Sequence, residues 1–339
     1  MEDDGILFSW NGTPCSCRCD HCLLASGARP CRVRYEDAKA VVERFLSWRE
    51  DADRSELAVD FAAGYCVDFP QLPDYVQFRI QHGMQGADAL QVGGIRKRSG
   101  ADLRTFLEEL ARAGIRRLGV SFHGIDESHD RCTHRRGDFA FLMELVRASA
   151  DCGMRRFETV FLRRSTLAEL PVLLAQLDAI PGVESRHVGP IDYRGRGKLL
   201  EPERPLLSDL SGLPASALGR LNRSNYRPEP EWAGIIASGE APEKTRRYYM
   251  IPICEDTIPQ LRAGQPEELL SALRKTDEAF RRRIPPLRDL ASRCCDRQSG
   301  RVYALRDLEW KWTDAYLAEH PLIDTAGIFD DGKPCVLCK

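Results

Sequence analysis

Three cysteines near the start of the chain could hold a metal cluster. Cys15, Cys19 and Cys22 are spaced as C-x3-C-x2-C, directly after an apolar run at residues 6–8. Cysteine thiolates are the ligands of iron–sulfur clusters, and three of them can hold three corners of a cubane [4Fe–4S] cluster. The remaining iron is then open to bind a small molecule. The spacing therefore predicts a cluster that does chemistry, in addition to carrying electrons.

Two other interpretations of these thiols are weaker. Cys17 and His21 lie in the same run, so a zinc knuckle is an alternative. Structural zinc takes paired ligand sets a dozen or more residues apart, and the nearest later candidate, Cys31, begins no second pair. A disulfide framework is disfavoured because the 13 cysteines are an odd number and residues 2–4 are acidic where a secretory signal is basic.

Length and charge exclude several classes of protein. The 339 residues allow one large or two modest domains with an apolar core. The net charge of −2 offers no basic surface for nucleic acid, and no apolar run reaches the length of a membrane span. We therefore expect a cytoplasmic protein without nucleic-acid or membrane partners, in a compartment that keeps thiols reduced.

Alternating apolar runs and helical patterns in the first part of the chain predict a parallel sheet. The predicted strands are residues 6–9, 57–61, 90–92, 118–122, 157–162 and 186–188. The predicted helices are residues 35–48, 72–82, 102–113, 139–152 and 167–179. Six such units indicate an α/β fold, a partial (β/α)6 TIM-like barrel whose active site lies at the carboxyl ends of the strands.

The pattern changes at the prolines of residues 202–205. We predict one domain over residues 1–205 and a C-terminal α+β domain over residues 206–339, with helices at 267–283 and 305–320. Residues 296–305 are interpreted as a short hairpin with its turn at Ser299 and Gly300.

Three features together resemble the radical S-adenosylmethionine (SAM) superfamily. The first is the C-x3-C-x2-C motif after the first strand, followed by alternating strands and helices. Residues 121–130 (SFHGIDESHD) resemble the fourth-strand stretch of the SPASM and twitch branch, and Gly195-Arg196-Gly197 resembles the GRG after its sixth strand. The resemblance covers the first predicted domain. It implies a [4Fe–4S] cluster, SAM, and hydrogen abstraction by a 5′-deoxyadenosyl radical.

The resemblance also implies which residues face SAM. His21 stands where the family has an aromatic residue beside the adenine, and Ser121 would reach the ribose or the carboxylate. Among Arg131, Arg135 and Arg136, we favour Arg135 as the partner of the SAM carboxylate, because a guanidinium fork matches a carboxylate. A solvated loop is the alternative for this arginine run.

One departure from the family concerns the SAM amino group. The family has Gly-Gly-Glu after the second strand, whereas this chain has Ala63, Gly64 and Tyr65. Backbone carbonyls or the Tyr65 hydroxyl would therefore have to receive the ammonium. Gly189, directly after the predicted sixth strand, completes the predicted SAM pocket.

The late cysteines resemble a twitch-type auxiliary cluster site. Cys335 and Cys338 form a C-x2-C pair, and Cys294 and Cys295 precede the predicted hairpin. Four thiolates suffice for a second [4Fe–4S] cluster, although two adjacent cysteines rarely both reach one cluster. Buried structural thiols are the alternative. The other cysteines are interpreted as structural: Cys17, Cys31, Cys66, Cys132 and Cys152.

Cys254 stands apart from these sets, at the end of the apolar run 248–253. A thiol donates a hydrogen atom readily to a carbon radical because its S–H bond is weak, and radical SAM epimerases use a cysteine in this way. A core position or a cluster ligand is the alternative for Cys254.

The leading hypothesis is an epimerase of a carbohydrate-type natural product, such as an aminoglycoside, similar in kind to neomycin C epimerase. We see no leader-peptide domain in the 14 residues before Cys15, which favours a small polar substrate, and acids near the predicted strand ends would suit a polyamine. Those acids are Asp60, Asp68, Glu158, Asp192, Glu255 and Asp256.

Three alternatives stay open: a dehydrogenase of a similar substrate, a peptide-modifying enzyme, and a non-catalytic cluster protein. In the enzymatic hypotheses, a reductant such as flavodoxin or ferredoxin would supply the electron.

Overall fold

The computed structural model describes residues 4–22, 31–64, 67–221, 225–240, 247–320 and 336–338. The strands are β1 (Asp4–Trp10), β2 (Ala58–Ala62), β3 (Ala89–Gln91), β4 (Arg117–Phe122), β5 (Arg155–Leu162), β6 (Val183–Pro190), β7 (Arg227–Pro228), β8 (Arg247–Ile253), β9 (Val302–Tyr303) and β10 (Val336–Cys338). The helices are α1 (Tyr35–Asp51), α2 (Leu72–Gln81), α3 (Gly100–Arg112), α4 (Asp126–Thr133), α5 (Asp138–Asp151), α6 (Leu170–Asp178), α7 (Leu207–Ser211), α8 (Ala215–Leu218), α9 (Glu229–Ser238), α10 (Ile258–Ala263), α11 (Pro266–Arg283), α12 (Leu287–Cys294) and α13 (Leu305–Glu319).

Two four-stranded sheets form the core of the fold. Their strand orders are β10-β8-β1-β2 and β3-β4-β5-β6. All pairs in these sheets are parallel except β10 with β8. The alternation of parallel strands with helices confirms the predicted α/β class and fits a partial TIM-like barrel, with the carboxyl ends of the parallel strands at one edge of each sheet.

Helix α3 shows how the sequence pattern produces a packed layer. Its buried face consists of Leu103, Phe106, Leu107 and Leu110, as the helical spacing predicts. Burying each of these side chains contributes about 1.5–3 kcal/mol. Within the described ranges, no helix combines the length and apolar character needed to cross a bilayer.

Strand β8 is a feature that the sequence analysis did not predict. It pairs in parallel with β1, and its last residue, Ile253, lies opposite Trp10. The C-terminal half of the chain therefore contributes a strand to the sheet that begins with β1. The domain boundary at residue 205 stays a prediction.

The predicted hairpin over residues 296–305 is wrong. The chain turns there, with the Ser299 amide donating to the Asp296 carbonyl at 3.1 Å, but β9 pairs with β7 and not with a neighbouring strand. Around this pair, α9, α12 and α13 enclose a separate apolar cluster that contains Trp232, Tyr303 and Trp312.

Glu158 on β5 belongs to a buried ion-pair network and not to the barrel interior. Its carboxylate accepts hydrogen bonds from Arg156 and Arg186, and its side chain is 0% exposed. Residues 156, 158, 160 and 162 are buried and alternate with half-buried neighbours, so they share one face of the strand. Arg156 also donates to the Leu177 and Ile180 carbonyls at 3.1 and 2.6 Å, which closes the carboxyl end of α6.

Replacing Glu158 with Ala should destabilise the protein by about 3–5 kcal/mol, because it leaves the buried Arg156 guanidinium without its counter-charge and leaves Arg186 with Asp178 alone. Urea unfolding of wild type and variant measures the difference. Arg155→Ala is the matched control on the same strand, since the Arg155 side chain is 61% exposed. A Glu158→Ala variant as stable as this control would contradict the interpretation.

Candidate functional site

The cysteine loop, residues 11–22, follows β1 at the carboxyl edge of the sheet. The Ser16 amide and hydroxyl donate to the Gly94 carbonyl at 3.0 and 2.8 Å, which attaches the loop to the segment after β3. The Arg18 amide donates to the Thr133 carbonyl at 2.9 Å, and the Asp20 amide to the Cys132 carbonyl at 3.0 Å. These backbone bonds attach the other half of the loop to the end of α4.

Gly94 provides the space that Cys15 occupies. A Cβ atom at this position would lie 2.1 Å from Cys15 Sγ, and the Gly94 φ angle of +72° is one that other residues rarely adopt. The sequence analysis missed this residue. The Gly93-Gly94 pair after the third strand was the available signal, because adjacent glycines can mark a close approach of another segment.

The Cys17 thiol is buried, and it hydrogen-bonds with the neighbouring Cys15 and Cys19 thiols of the loop. The same thiol donates to Asp138 Oδ2 at 3.5 Å. Arg135 Nη1 contacts Cys17 Sγ at 3.9 Å and donates to Asp138 Oδ1 at 3.1 Å, while Nη2 donates to the Ile95 carbonyl at 2.7 Å. Arg135 thus has three partners inside the protein. Its role as the partner of the SAM carboxylate stays a prediction.

The SFHG…HD stretch fixes the end of β4 against α4 and α5. His129 Nδ1 accepts the His123 amide at 3.2 Å, so the proton of the neutral ring lies on Nε2, which donates to Asp138 Oδ2 at 3.3 Å. Asp130 accepts hydrogen bonds from the Gly137 and Phe139 amides and thereby caps the start of α5. His129 and Asp130 are thus positioning residues.

The three predicted cluster ligands lie on this loop, with Cys15 exposed and Cys19 and Cys22 half-buried. The Cys22 amide donates to the Cys19 carbonyl at 3.1 Å, which closes a turn between these two residues. A hydrogen bond with Cys17 and burial raise the pKa of the Cys15 thiol, so a cluster must displace its proton on binding. Three soft thiolate donors on one short loop fit a [4Fe–4S] cluster.

His21 lies in a small aromatic group at the mouth of the barrel. Its ring centroid is 4.5 Å from that of His123 and 4.9 Å from that of Phe161. Burial and the Arg163 guanidinium lower the pKa of His21 to about 4. The predicted contact of His21 with adenine stays a prediction.

Two other predicted SAM residues lie on the strands of the second sheet. Ser121 on β4 accepts a hydrogen bond from Gln91 Nε2 on β3 at 3.3 Å. Gly189 on β6 is covered by Tyr226, whose hydroxyl would lie 2.3 Å from a Cβ atom at that glycine and is 2.5 Å from His187 Nε2. The sequence analysis missed Gln91 and Tyr226.

The segment after β2 lies beside the start of the cysteine loop. The Ala63 amide donates to the Tyr75 hydroxyl at 3.0 Å. A Cβ atom at Gly64, whose φ angle is +63°, would lie 1.9 Å from Asn11 Oδ1. Asn11 therefore requires a glycine here, and it is a polar side chain that the sequence analysis missed. Tyr65 lies outside the described residues.

Cys254 follows β8 directly, at the same edge of the sheet as the cysteine loop. Its amide donates to Thr257 Oγ1 at 3.1 Å, and its half-buried Sγ lies 3.6 Å from the same oxygen. The Arg32 amide donates to Glu255 Oε1 at 2.5 Å, which brings the chain after the cysteine loop next to this turn. The structure thus places Cys254 beside the loop and not among the late cysteines.

Cys294 and Cys295 are half-buried at the end of α12, where they pack against the apolar cluster of α9, α12 and α13. Cys338 belongs to β10, which pairs with the first half of β8 in the barrel sheet. Cys335 lies outside the described residues. A second cluster held by these four cysteines stays a prediction.

Arginines and backbone amides already engage most of the acids predicted near the strand ends. Asp68 pairs with Arg98 at 2.7 Å, and Asp192 pairs with Arg306 at 3.0 Å. Asp60 is buried and accepts the Gln85 amide at 2.9 Å. The mouth therefore carries less free negative charge than the sequence suggests.

No protein-family model matches the chain. A segment of 109 residues, 30% of this chain, is 29% identical to GTP 3′,8-cyclase of Marinobacter nauticus, and it covers 33% of that protein. The match thus spans about a third of the length of this relative.

Two solved structures resemble the fold at low identity. SuiB of Streptococcus suis, bound to S-adenosylmethionine, has a TM-score of 0.44 and 10% identity, over 74% of this chain and 51% of that one. Coproporphyrinogen III oxidase (HemN) of Escherichia coli, a radical SAM enzyme, has a TM-score of 0.42 and 12% identity, over 74% of this chain and 63% of that one.

The contact between Gly94 and Cys15 generates a test of the cluster site. Gly94→Ala should lose most of the bound iron and sulfide after anaerobic reconstitution, because the added methyl group displaces the Cys15 thiol. Gly93→Ala is the matched control, since a Cβ atom there meets nothing within 4 Å. Equal iron content in the two variants would show that Cys15 is not a cluster ligand.

Proposed function

We propose that this protein is a radical SAM enzyme, with a [4Fe–4S] cluster on Cys15, Cys19 and Cys22 and SAM on the open iron. The observation that carries the proposal is the position of the three thiols on one anchored loop at the carboxyl edge of a parallel sheet. The C-x3-C-x2-C spacing and the local similarity to GTP 3′,8-cyclase support this superfamily.

Several of the described residues would position the loop that holds the cluster and SAM. When bound, the two groups supply a 5′-deoxyadenosyl radical that removes a hydrogen atom from the substrate. Gly94 keeps the place of Cys15 open, and Arg135 and Asp138 hold Cys17, which fixes the middle of the loop. The half-buried His21 ring packs beside the loop against His123 and Phe161, where it would limit the access of water.

The reaction we favour is epimerisation of a carbon in a small polar natural product, with Cys254 as the hydrogen donor. Once the substrate has lost its hydrogen atom, the Cys254 S–H bond breaks and a new C–H bond forms on the opposite face. The thiyl radical that remains takes up one electron and one proton, and a flavodoxin- or ferredoxin-type reductant supplies the electron. The position of Cys254 next to the cysteine loop supports this role.

The charges near the strand ends bear on the class of substrate. The ion pairs of Asp68 and Asp192 with arginines leave less charge to attract a polyamine. An aminoglycoside-type substrate therefore requires recognition through hydroxyl groups as well as ammonium groups. Dehydrogenation of the same substrate is the second candidate reaction, and it differs from epimerisation in giving a product two mass units lighter than the substrate.

The protein, reduced anaerobically in the presence of SAM, should release 5′-deoxyadenosine and methionine, because the open iron lets SAM bind and be cleaved. Liquid chromatography measures both products, and Cys19→Ala serves as the cluster-deficient control. Wild-type protein with full iron and sulfide content that releases no 5′-deoxyadenosine would exclude the proposed function.

Turnover of an aminoglycoside panel in deuterated water should place one solvent deuterium at the inverted carbon, because the thiol hydrogen exchanges with solvent. Cys254→Ala should cleave SAM but yield no inverted product, whereas the matched control Cys152→Ala should behave as wild type. Mass spectrometry and NMR report the outcome. A product two mass units lighter than the substrate would show that the reaction is dehydrogenation and not epimerisation. An inverted product from Cys254→Ala would show that Cys254 is not the hydrogen donor.

A further inference from the structure

We propose that His21, His123 and Cys132 form a mononuclear site for a divalent metal ion of the zinc class, distinct from the cluster on Cys15, Cys19 and Cys22. One ligand atom from each of the three residues lies within 4.8 Å of the other two. The residues come from three segments: the cysteine loop, the end of β4 and α4. Residues far apart in sequence thus converge on one point.

Two imidazole nitrogens at this point have no partner among the described residues. His21 Nδ1 and His123 Nδ1 are both buried and make no hydrogen bond, and the His123 residue is only 2% exposed. An unsatisfied buried polar atom costs about 1–3 kcal/mol, and more than nine-tenths of such groups in proteins are bonded. Two orphan nitrogens beside a buried thiol therefore indicate an absent ligand that accepts lone pairs.

The surrounding contacts hold the three side chains in place without the ion. The Asp20 amide donates to the Cys132 carbonyl at 3.0 Å, and this fixes His21 relative to α4. The His123 ring stacks on Phe161 with a centroid distance of 4.9 Å and an interplanar angle of 6°. Rings and thiol fixed in this way lose little conformational freedom on binding an ion.

The local charge is compatible with a cation. Arg163 is close to all three residues and hydrogen-bonds the Cys132 thiol, but two carboxylates offset its charge: Asp20 pairs with the guanidinium at 3.1 Å, and Glu203 lies 3.7 Å from it. Neutral imidazole is the form of histidine that ligates metals. On metal binding the Cys132 thiol would release its proton to solvent, and the ion with its thiolate ligand would carry one net positive charge.

The donor set selects the class of metal. Two imidazoles and one thiolate suit zinc and related borderline ions, whereas calcium and magnesium prefer oxygen ligands. Ligand atoms around tetrahedral zinc are about 3.3–3.8 Å apart, so a small closure of the present geometry completes the site. The fourth position would hold water. Such an ion would attach the cysteine loop to both β4 and α4.

Zinc binding to the cluster-loaded protein tests the proposal, because the loaded cluster occupies Cys15, Cys19 and Cys22 and keeps zinc from these three thiols. After anaerobic reconstitution, dialysis against zinc and gel filtration, mass spectrometry should find one zinc per chain in addition to iron. X-ray absorption at the zinc edge should show two nitrogen ligands and one sulfur ligand. Cys132→Ser and His123→Ala should each weaken zinc binding more than about tenfold while the iron content persists.

Cys152→Ser is the matched control, a half-buried cysteine that follows α5 and lies outside the proposed site. Circular dichroism identifies any variant that fails to fold. His123→Cys then serves as a second probe, since a new thiolate should restore zinc with a two-sulfur signature. Wild type without zinc, or equal zinc in wild type and Cys132→Ser, overturns the proposal. Iron, sulfide and 5′-deoxyadenosine measured in the same samples keep this outcome separate from failure of the proposed function.

Discussion

The site depends on the attachment of one short loop to two distant segments of the chain. Backbone bonds from Ser16, Arg18 and Asp20 join it to the chain after β3 and to the end of α4. A net backbone hydrogen bond contributes about 0.5–1.5 kcal/mol, whereas ordering one residue costs about 1–2 kcal/mol. The bonds therefore define the loop conformation without fully stabilising it. In the proposed function, we expect ligand binding by the thiols to supply the rest, so that cluster assembly and loop order are coupled.

The parts of the fold that local sequence determines were predictable. Helix α3 has its apolar residues at helical spacing, and β4 and β5 are apolar runs between helices, so each could be identified without knowledge of its partner. Strand β8 and the pairing of β9 with β7 were missed because each depends on a partner far away in sequence. A Ser-Gly turn beside a short apolar run looks like a hairpin unless that distant partner is known.

The same division applies to the site. The three thiols were evident from their spacing, whereas Gly94 and Asn11 matter because of what approaches them: Gly94 accommodates Cys15, and Asn11 lies against Gly64. Tyr226 likewise reaches Gly189 from beyond the barrel strands. Sequence patterns identify donor atoms, but they do not report the close contacts that keep those atoms in place.

The position of Cys254 supports the proposed reaction, whereas the charges of the predicted acids do not support a polycationic substrate. In a parallel sheet, the register of Ile253 with Trp10 brings the next residue, Cys254, to the edge where the cysteine loop begins, whatever the side-chain details. The charges of the predicted acids do depend on those details, and Arg98 and Arg306 neutralise Asp68 and Asp192. The topology of the sheet therefore supports hydrogen return by Cys254. The two ion pairs leave little free negative charge to attract a polycationic substrate, contrary to what the sequence suggested.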